Sequence, residues 1–287
     1  MTLLVSWIAV DSRAASSVYV ASDSRISWDG LAKYDFGKKV FACKNSPEIF
    51  GYCGDVLFPV MILSQIVDSI DSGLLFRERM TCREKSQVVM KRMIESFKRY
   101  PSEAQGITKE AFQILHCSRD EKQKFSCHTI SWNGRNKSRK WSLSEAKANK
   151  FSEKSFTLGS GSKEFNKKFQ LYLESPDAKT SRSLFQCFCH TLADMNDKYC
   201  GGAPQLAGIY RKPGSNGILF GVISEKKRYF EGMQIDNFPK ENLNKIEWRN
   251  DLFEICDGTT KKRKVNAQNQ PNHVTGKEAT PHAAQKD

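Results

Sequence analysis

The chain lacks any apolar run close to the length that crosses a bilayer. A spanning helix needs about 20 consecutive apolar residues, and the apolar stretches of this sequence are much shorter. The N-terminus also lacks a basic leader followed by a long apolar segment, so we do not expect a signal peptide. These absences predict a cytoplasmic protein with no membrane partner.

The sequence also lacks a disulfide framework. Its nine cysteines are an odd number without regular spacing, which favours reduced thiols. His116, Cys117, Cys127 and His128 are four possible zinc ligands, and a zinc site would need all four to converge on one point. In a hairpin that turns near Asp120, the cysteines would face each other on one side and the histidines on the other. We therefore predict no metal, and the sequence indicates no cofactor.

The chain has fewer acidic than basic residues. The chain has 45 basic and 32 acidic residues, a formal net charge of +13. Such an excess can attract nucleic acid or an anionic membrane. The basic residues are scattered through most of the chain, however, which is typical of a solvated surface. We do not expect nucleic acid to be the partner.

Apolar residues nearly vanish from the C-terminal part of the chain. Residues 258–287 carry lysine and arginine but almost no apolar anchors, which predicts a disordered basic tail. The domain expected to carry function covers residues 1–235. Residues 236–257 are expected to form a C-terminal extension between the two.

An apolar hairpin opens the chain. Residues 18–21 alternate as a strand, and this strand ends at a small polar cluster that contains Asp23. A second short apolar run covers residues 1–10, and antiparallel pairing of the two would place Thr2 close to Asp23. A hydroxyl residue at the chain start beside a buried acid suggests an N-terminal nucleophile.

The rest of the pattern alternates strand groups with pairs of helices. Helical periodicity predicts helices over residues 56–73, 81–100, 165–173 and 181–199, the second with a capping box from Thr81 and Glu84. Alternating runs predict strands at residues 40–43, 48–53, 111–116, 125–132, 140–143, 205–210, 217–223 and 227–230. Residues 26–38 are expected to form a loop or a bent strand, and residues 146–155 an exposed loop. This order predicts an α+β fold with two antiparallel sheets between helix layers.

Short motifs along the chain resemble those of the proteasome β-subunit family, the threonine-protease branch of the N-terminal-nucleophile hydrolases. The motifs are Thr2, Ala21-Ser22-Asp23-Ser24-Arg25, Lys38-Lys39-Val40-Phe41, Gly51-Tyr52-Cys53-Gly54, Gly159-Ser160-Gly161-Ser162 and Asp197-Lys198-Tyr199-Cys200-Gly201-Gly202. The resemblance runs from Thr2 to about Gly232. It implies a four-layer αββα sandwich.

The resemblance also implies a set of catalytic residues. Thr2 would be the nucleophile once Met1 is removed, and its freed α-amine, with an ordinary pKa of about 7.7–8, would accept the hydroxyl proton. Asp23 and Lys39 would form a buried pair beside it, and Gly54 would stabilise the oxyanion. The supporting polar group would be Ser160, Asp197 and Cys200.

Two positions leave alternatives open. Lys38 adjoins Lys39, and the register with Val40 and Phe41 favours Lys39 as the inward lysine. The family usually has serine where this chain has Cys200, and a thiol is a weaker hydrogen-bond donor than a hydroxyl. Cys200 could instead be a nucleophile itself. The resemblance implies an apolar substrate pocket lined by Ile26, Phe41, Tyr52 and Val56.

We therefore expect a threonine-type peptidase that cleaves amide bonds through an acyl-enzyme. The alternatives are an amidohydrolase of non-peptide substrates on the same fold, or a catalytically silent ring subunit. The resemblance implies an unfolded protein or peptide as substrate and a homo-oligomeric ring. It allows for an ATP-dependent unfoldase as partner, although the sequence shows no docking motif for one.

Overall fold

The structure is a computed structural model that describes residues 2–28, 31–101, 111–134, 141–147 and 149–267. Within these ranges the chain is α+β. In chain order the strands are β1 (Leu4–Val10), β2 (Ala15–Ser22), β3 (Ile26–Trp28), β4 (Ala32–Tyr34), β5 (Val40–Ala42), β6 (Glu48–Gly54), β7 (Phe112–Arg119), β8 (Phe125–Trp132), β9 (Trp141–Glu145), β10 (Glu153–Leu158), β11 (Gln205–Tyr210), β12 (Ile218–Ser224), β13 (Lys227–Phe230), β14 (Met233–Gln234), β15 (Trp248–Asn250) and β16 (Ile255–Cys256). The helices are α1 (Leu57–Asp71), α2 (Cys82–Arg99), α3 (Ser162–Tyr172), α4 (Ser181–Asp194) and α5 (Lys240–Leu243).

Two large sheets carry most of these strands. The first has the order β10-β1-β2-β11-β12-β13-β14, with β15 added in parallel to β12 and β16 paired to β15. The second has the order β5-β6-β7-β8-β9 and is antiparallel throughout. A separate two-stranded hairpin, β3-β4, lies between β2 and β5 in the sequence.

Three hydrophobic clusters hold helices α1 to α4 and the two large sheets together, and a fourth packs α5 and β15 against β12. Helices α3 and α4 pack on one face of the first sheet through side chains that include Trp7, Phe165, Phe185, Phe188 and Phe220. The second cluster joins the two sheets and includes Leu4, Val20, Ile49, Leu115 and Ile209. The third packs α1 and α2 on the second sheet and includes Phe50, Ile62, Met93, Phe97 and Ile114. Because side chains alternate between the faces of a strand, β1 contributes Trp7 to the first cluster and Leu4 to the second.

The locally encoded expectations are confirmed. Strands β1 and β2 pair with Leu4 opposite Ser22, which brings the chain start beside Asp23. Thr81 caps α2 in a capping box with Glu84. In the β7-β8 hairpin Cys117 pairs with Cys127.

Several boundaries differ from those expected. Residues 26–38 contain the hairpin β3-β4, and the stretch 146–155 includes the start of β10, because that strand finds its partner in the distant β1. Helix α4 was expected to run to residue 199 but ends at Asp194, where Met195 adopts an extended backbone. The chain from residue 195 to 204 is therefore a loop.

The C-terminal segments are packed on the first sheet. The expected extension, residues 236–257, supplies β15, whose Trp248 pairs with Gly221 of β12. In the first part of the expected tail, the carbonyls of Gly258 and Thr259 accept hydrogen bonds from the buried Arg228. The remaining residues of that tail, 268–287, lie outside the described residues.

None of the helices in the described ranges is long and apolar enough to cross a membrane.

Truncation can measure what residues 258–267 contribute. We expect a chain ending at Asp257 to have a free energy of unfolding lower by about 2–4 kcal/mol than one ending at Ala267, because Arg228 loses two carbonyl acceptors. Urea denaturation of both chains gives this difference directly. Equal unfolding midpoints would show that this segment does not stabilise the domain.

Candidate active site

Asp23 is fully buried just after the end of β2. Its Oδ1 accepts the N–H of Leu3 at 3.1 Å, and its Oδ2 accepts the N–H groups of Gly201 at 3.0 Å and Arg25 at 3.3 Å. Burial raises the pKa of the Asp23 carboxyl, and the Lys39 ammonium and the backbone donors oppose that rise. Three separate segments of backbone thus converge on one carboxylate.

Lys39 joins Asp23 to Thr2. Its Nζ lies 2.9 Å from Asp23 Oδ1 and 2.9 Å from Thr2 Oγ1, and its side chain is 1 % exposed. The neighbouring Lys38 points elsewhere, with its Nζ 2.5 Å from Glu231 Oε1 and its side chain partly exposed. The structure therefore brings Lys39, and not Lys38, to the Thr2 hydroxyl.

The Gly-Ser-Gly segment holds the backbone of Thr2. The N–H of Gly161 donates to the Thr2 carbonyl at 3.3 Å. Gly159 has φ +86°, and a Cβ there would lie 1.9 Å from the Thr2 carbonyl oxygen. Only glycine satisfies both the left-handed conformation and the close approach. Thr2 itself is 2 % exposed in this chain, where Met1 precedes it.

Ser160 and Cys200 form the next contact. The Ser160 Oγ lies 3.3 Å from Cys200 Sγ. Burial raises the pKa of the Cys200 thiol to about 11, so it is a neutral thiol near pH 7 and a poor nucleophile. Asp197 is half-buried, and its carboxylate accepts the N–H of Tyr199 at 2.6 Å within its own loop. Ser160 and Cys200 are therefore brought together, whereas Asp197 orders the loop.

Gly54 ends β6. Its φ is +97°, and a Cβ would lie 2.3 Å from the carbonyl oxygen of Ala111, so glycine is required for backbone reasons alone. Two residues earlier, the N–H of Tyr52 donates to the Lys39 carbonyl at 3.3 Å. Strand β6 thus runs directly alongside the lysine segment.

The four residues expected to line a substrate pocket have different surroundings. Phe41 and Tyr52 are buried in the cluster under α1 and α2, and Val56 packs against it. Ile26 begins β3, and its side chain lies against Gly37. Open cavities of about 700 and 490 Å³ instead adjoin the loop at residues 195–204, and none of these four side chains lines them.

Arg25 fixes the loop at residues 195–204. It belongs to the Ala21–Arg25 motif, but the sequence pattern indicated no role for it. Arg25 forms a two-bond ion pair with Asp35, at 2.7 and 2.9 Å. Its Nη1 also donates to the carbonyls of Asp197 and Cys200, each at 3.0 Å. The hydrogen bond from Arg25 holds the pKa of Asp35 below its usual value. Asp35 follows the β3-β4 hairpin, which sequence periodicity did not indicate.

Gln205 is a second residue that the sequence gave no reason to select. Its amide contacts both the Asp23 segment and the segment that leads to Lys39. A single buried glutamine at a strand start carries no motif, so only the structure identifies it.

A second polar constellation lies away from Thr2. The ring of His116 contacts Ser86 Oγ and Glu48 Oε2, each at 2.8 Å, and Lys85 Nζ lies 2.6 Å from the same glutamate. Ser86, His116 and Glu48 are all fully buried, so substrate does not reach them. Within the described ranges no three histidine, cysteine or acidic side chains are grouped to hold a metal ion.

The fold is of the proteasome type, which confirms the expected resemblance at the level of fold alone. A solved structure of the Anbu complex from Pseudomonas aeruginosa, a helical assembly, is 12 % identical, with a TM-score of 0.53 over 75 % of this chain and 86 % of that one. At this identity the likeness shows a common fold alone.

Two further structures are similar with lower TM-scores. HslV from Trypanosoma brucei is 9 % identical, with a TM-score of 0.46 over 72 % of this chain and 99 % of that one. BPH from Thiobacillus denitrificans, in complex with epoxomicin, is 12 % identical, with a TM-score of 0.47 over 73 % and 100 %. No family model and no curated protein matches the chain.

The raised pKa of Cys200 predicts how this thiol reacts. With a pKa of about 11, only about one molecule in 10,000 carries the thiolate at pH 7. We expect iodoacetamide to alkylate Cys200 about tenfold faster per pH unit up to pH 10, without the plateau of an ordinary thiol near pH 8.5. Peptide mass spectrometry of the folded protein gives the rate, and urea-unfolded protein is the control. Fast alkylation at pH 7 would indicate an activated cysteine.

Proposed function

We propose that the protein is a threonine-type hydrolase of amide bonds, with Thr2 as nucleophile after removal of Met1. One observation carries the proposal: a buried lysine ammonium lies 2.9 Å from both the Thr2 hydroxyl and the Asp23 carboxylate. A cation at that distance favours the alkoxide over the neutral hydroxyl. Because the Lys39 ammonium is buried, its electrostatic effect on the Thr2 hydroxyl is larger than it would be in water.

The proposed mechanism needs a base, and the freed α-amine of Thr2 supplies it. The amine takes the hydroxyl proton as Oγ1 attacks the substrate carbonyl, and the Gly54 N–H stabilises the oxyanion. The amine then gives its proton to the departing nitrogen, leaving an ester on Thr2. Water, deprotonated by the same amine, hydrolyses that ester. Asp23 holds the Lys39 side chain in position throughout, and the proposed supporting group is Ser160, Cys200 and, through the order of its loop, Asp197.

We extend the proposal to the arrangement and the partners. One hydrophobic cluster lies between α3 and α4 and the first sheet, one lies between the two sheets, and one lies between the second sheet and α1 and α2. This order of layers supports a four-layer αββα sandwich. The proposed substrate is peptide or unfolded protein. The protein would form a homo-oligomeric ring, and an ATP-dependent unfoldase would deliver the substrate to that ring. All nine cysteines are free, which supports a reducing, cytoplasmic compartment.

A catalytically silent subunit is the second candidate. Two observations favour it: Cys200 stands where the family usually has serine, and Thr2 is 2 % exposed. An amidohydrolase of small substrates would share the Thr2 chemistry. A screen of casein, fluorogenic peptides and small amides separates that activity from proteolysis.

The state of Met1 tests the N-terminal-nucleophile mechanism. While Met1 is attached, the Thr2 nitrogen is an amide and cannot accept a proton. We expect the Met1-retained protein to be slower by about 100- to 10,000-fold than the processed form, which is the usual effect of general-base catalysis. Intact mass confirms the N-terminus, and peptide hydrolysis gives the rate.

Two Thr2 variants complete this test. Processed Thr2→Ala should be inactive because it has no hydroxyl, whereas Thr2→Ser should keep part of the activity. A β-lactone probe should label the processed protein at Thr2 and leave Thr2→Ala unlabelled. Full activity in the Met1-retained form or in Thr2→Ala would refute the mechanism.

Adjacent lysines provide a matched pair of substitutions. We expect Lys39→Ala to abolish hydrolysis and to lower the free energy of unfolding by about 3 kcal/mol, because Asp23 is left as a buried unpaired charge. Lys38→Ala removes a partly exposed ion pair with Glu231 and a cation–π contact with Phe41, so its effect should be about 1 kcal/mol. Initial rates and urea unfolding are measured for both. Equal losses in the two variants would show that Lys39 has no special role.

A further inference from the structure

Gln205 lies where the first sheet approaches the segment that leads to Lys39. It begins β11, opposite Ser22 of β2, and is 1 % exposed. Its Nε2 donates to the carbonyls of Asp23 at 3.1 Å and Gly37 at 2.8 Å. Its Oε1 accepts the N–H of Lys39 at 3.0 Å.

These partners fix the orientation of the amide. The two N–H donors of the side chain meet two carbonyl oxygens, and its carbonyl oxygen meets an N–H. The reversed amide would place its NH₂ against the Lys39 N–H and its oxygen against two carbonyls, which is repulsive. The Gln205 amide is therefore held in one orientation.

The two halves of the ion pair belong to different sheets. Asp23 follows β2 of the first sheet, whereas Lys39 precedes β5 of the second. A lysine side chain has four flexible methylenes, so the ion pair alone does not fix the distance between the two backbones. Gln205 bonds the Asp23 carbonyl and the Lys39 N–H at once, and together with the hydrogen bond from the Gly37 N–H to the Ser24 carbonyl it fixes that distance.

We propose that Gln205 is a positioning residue, which places Lys39 so that its ammonium reaches both Asp23 and the Thr2 hydroxyl. The catalytic part of this inference rests on the proposed function. The positional part concerns the geometry of Lys39 and holds independently of activity. Displacements of about 1 Å in such sites cost on the order of 100-fold in rate.

The test uses Gln205→Met, which keeps the length of the side chain and removes all three hydrogen bonds. Its control is Gln186→Met, a fully buried glutamine in α4, outside the Thr2 group. For processed Gln205→Met we expect kcat to fall by about 10- to 100-fold with KM changed less than about twofold. The control should keep the wild-type kcat. Calorimetry confirms that both variants fold.

A second measurement does not depend on turnover. In ¹⁵N-lysine-labelled protein, the Lys39 ammonium signal is assigned by its loss in Lys39→Arg. We expect this signal to shift and its protons to exchange with water at least about tenfold faster in Gln205→Met, because its hydrogen-bonded partners are displaced. If Gln205→Met does not fold, Gln205→Asn, which is shorter by one methylene, is measured in its place.

The two readouts separate the two hypotheses. An inactive wild type with a changed Lys39 signal in the variant would refute the hydrolase and support the positioning role. An unchanged Lys39 signal, with or without activity, would overturn the positioning role. A lower kcat with an unchanged signal would likewise overturn it, since the loss would then arise elsewhere.

Discussion

The site depends on one buried ion pair, between Asp23 and Lys39. Removing two charges from water costs several kcal/mol per ion, and their attraction repays that cost only when other hydrogen bonds complete the shell. Here the shell is supplied by three backbone N–H groups on Asp23 and by the Thr2 hydroxyl on Lys39. The surrounding fold brings those groups to the ion pair.

These groups come from three separate parts of the chain. Pairing of β1 with β2 brings the N–H of Leu3 to the carboxylate. The loop after α4 brings Gly201, and Arg25 holds that loop through its carbonyls while it is itself fixed by Asp35. The ion pair therefore ties together residues that are up to 178 positions apart.

The sequence predicted those features that depend on neighbours along the chain. The first hairpin, the capping box at Thr81 and the register of Cys117 with Cys127 follow from local patterns, and each is present. The pairing of β10 with β1 and the packing of residues 236–267 depend on partners that are distant in the sequence. Local periodicity does not indicate such partners. Gln205 escaped notice because its role is set by three carbonyl and amide groups brought together only by the fold.

The cost of the ion pair bears on whether the site is active or silent. Apolar residues of similar volume often replace a buried ion pair with no loss of stability, so stability alone gives little reason for Lys39 and Asp23. In a silent subunit the threonine hydroxyl, 2.9 Å from the ammonium, would serve only to complete the hydrogen bonds of Lys39. A nucleophile would gain more, because the cation lowers the free energy of the developing alkoxide. The 2 % exposure of Thr2 is that of a chain in which Met1 still precedes it, and the proposed chemistry begins only when Met1 has been removed.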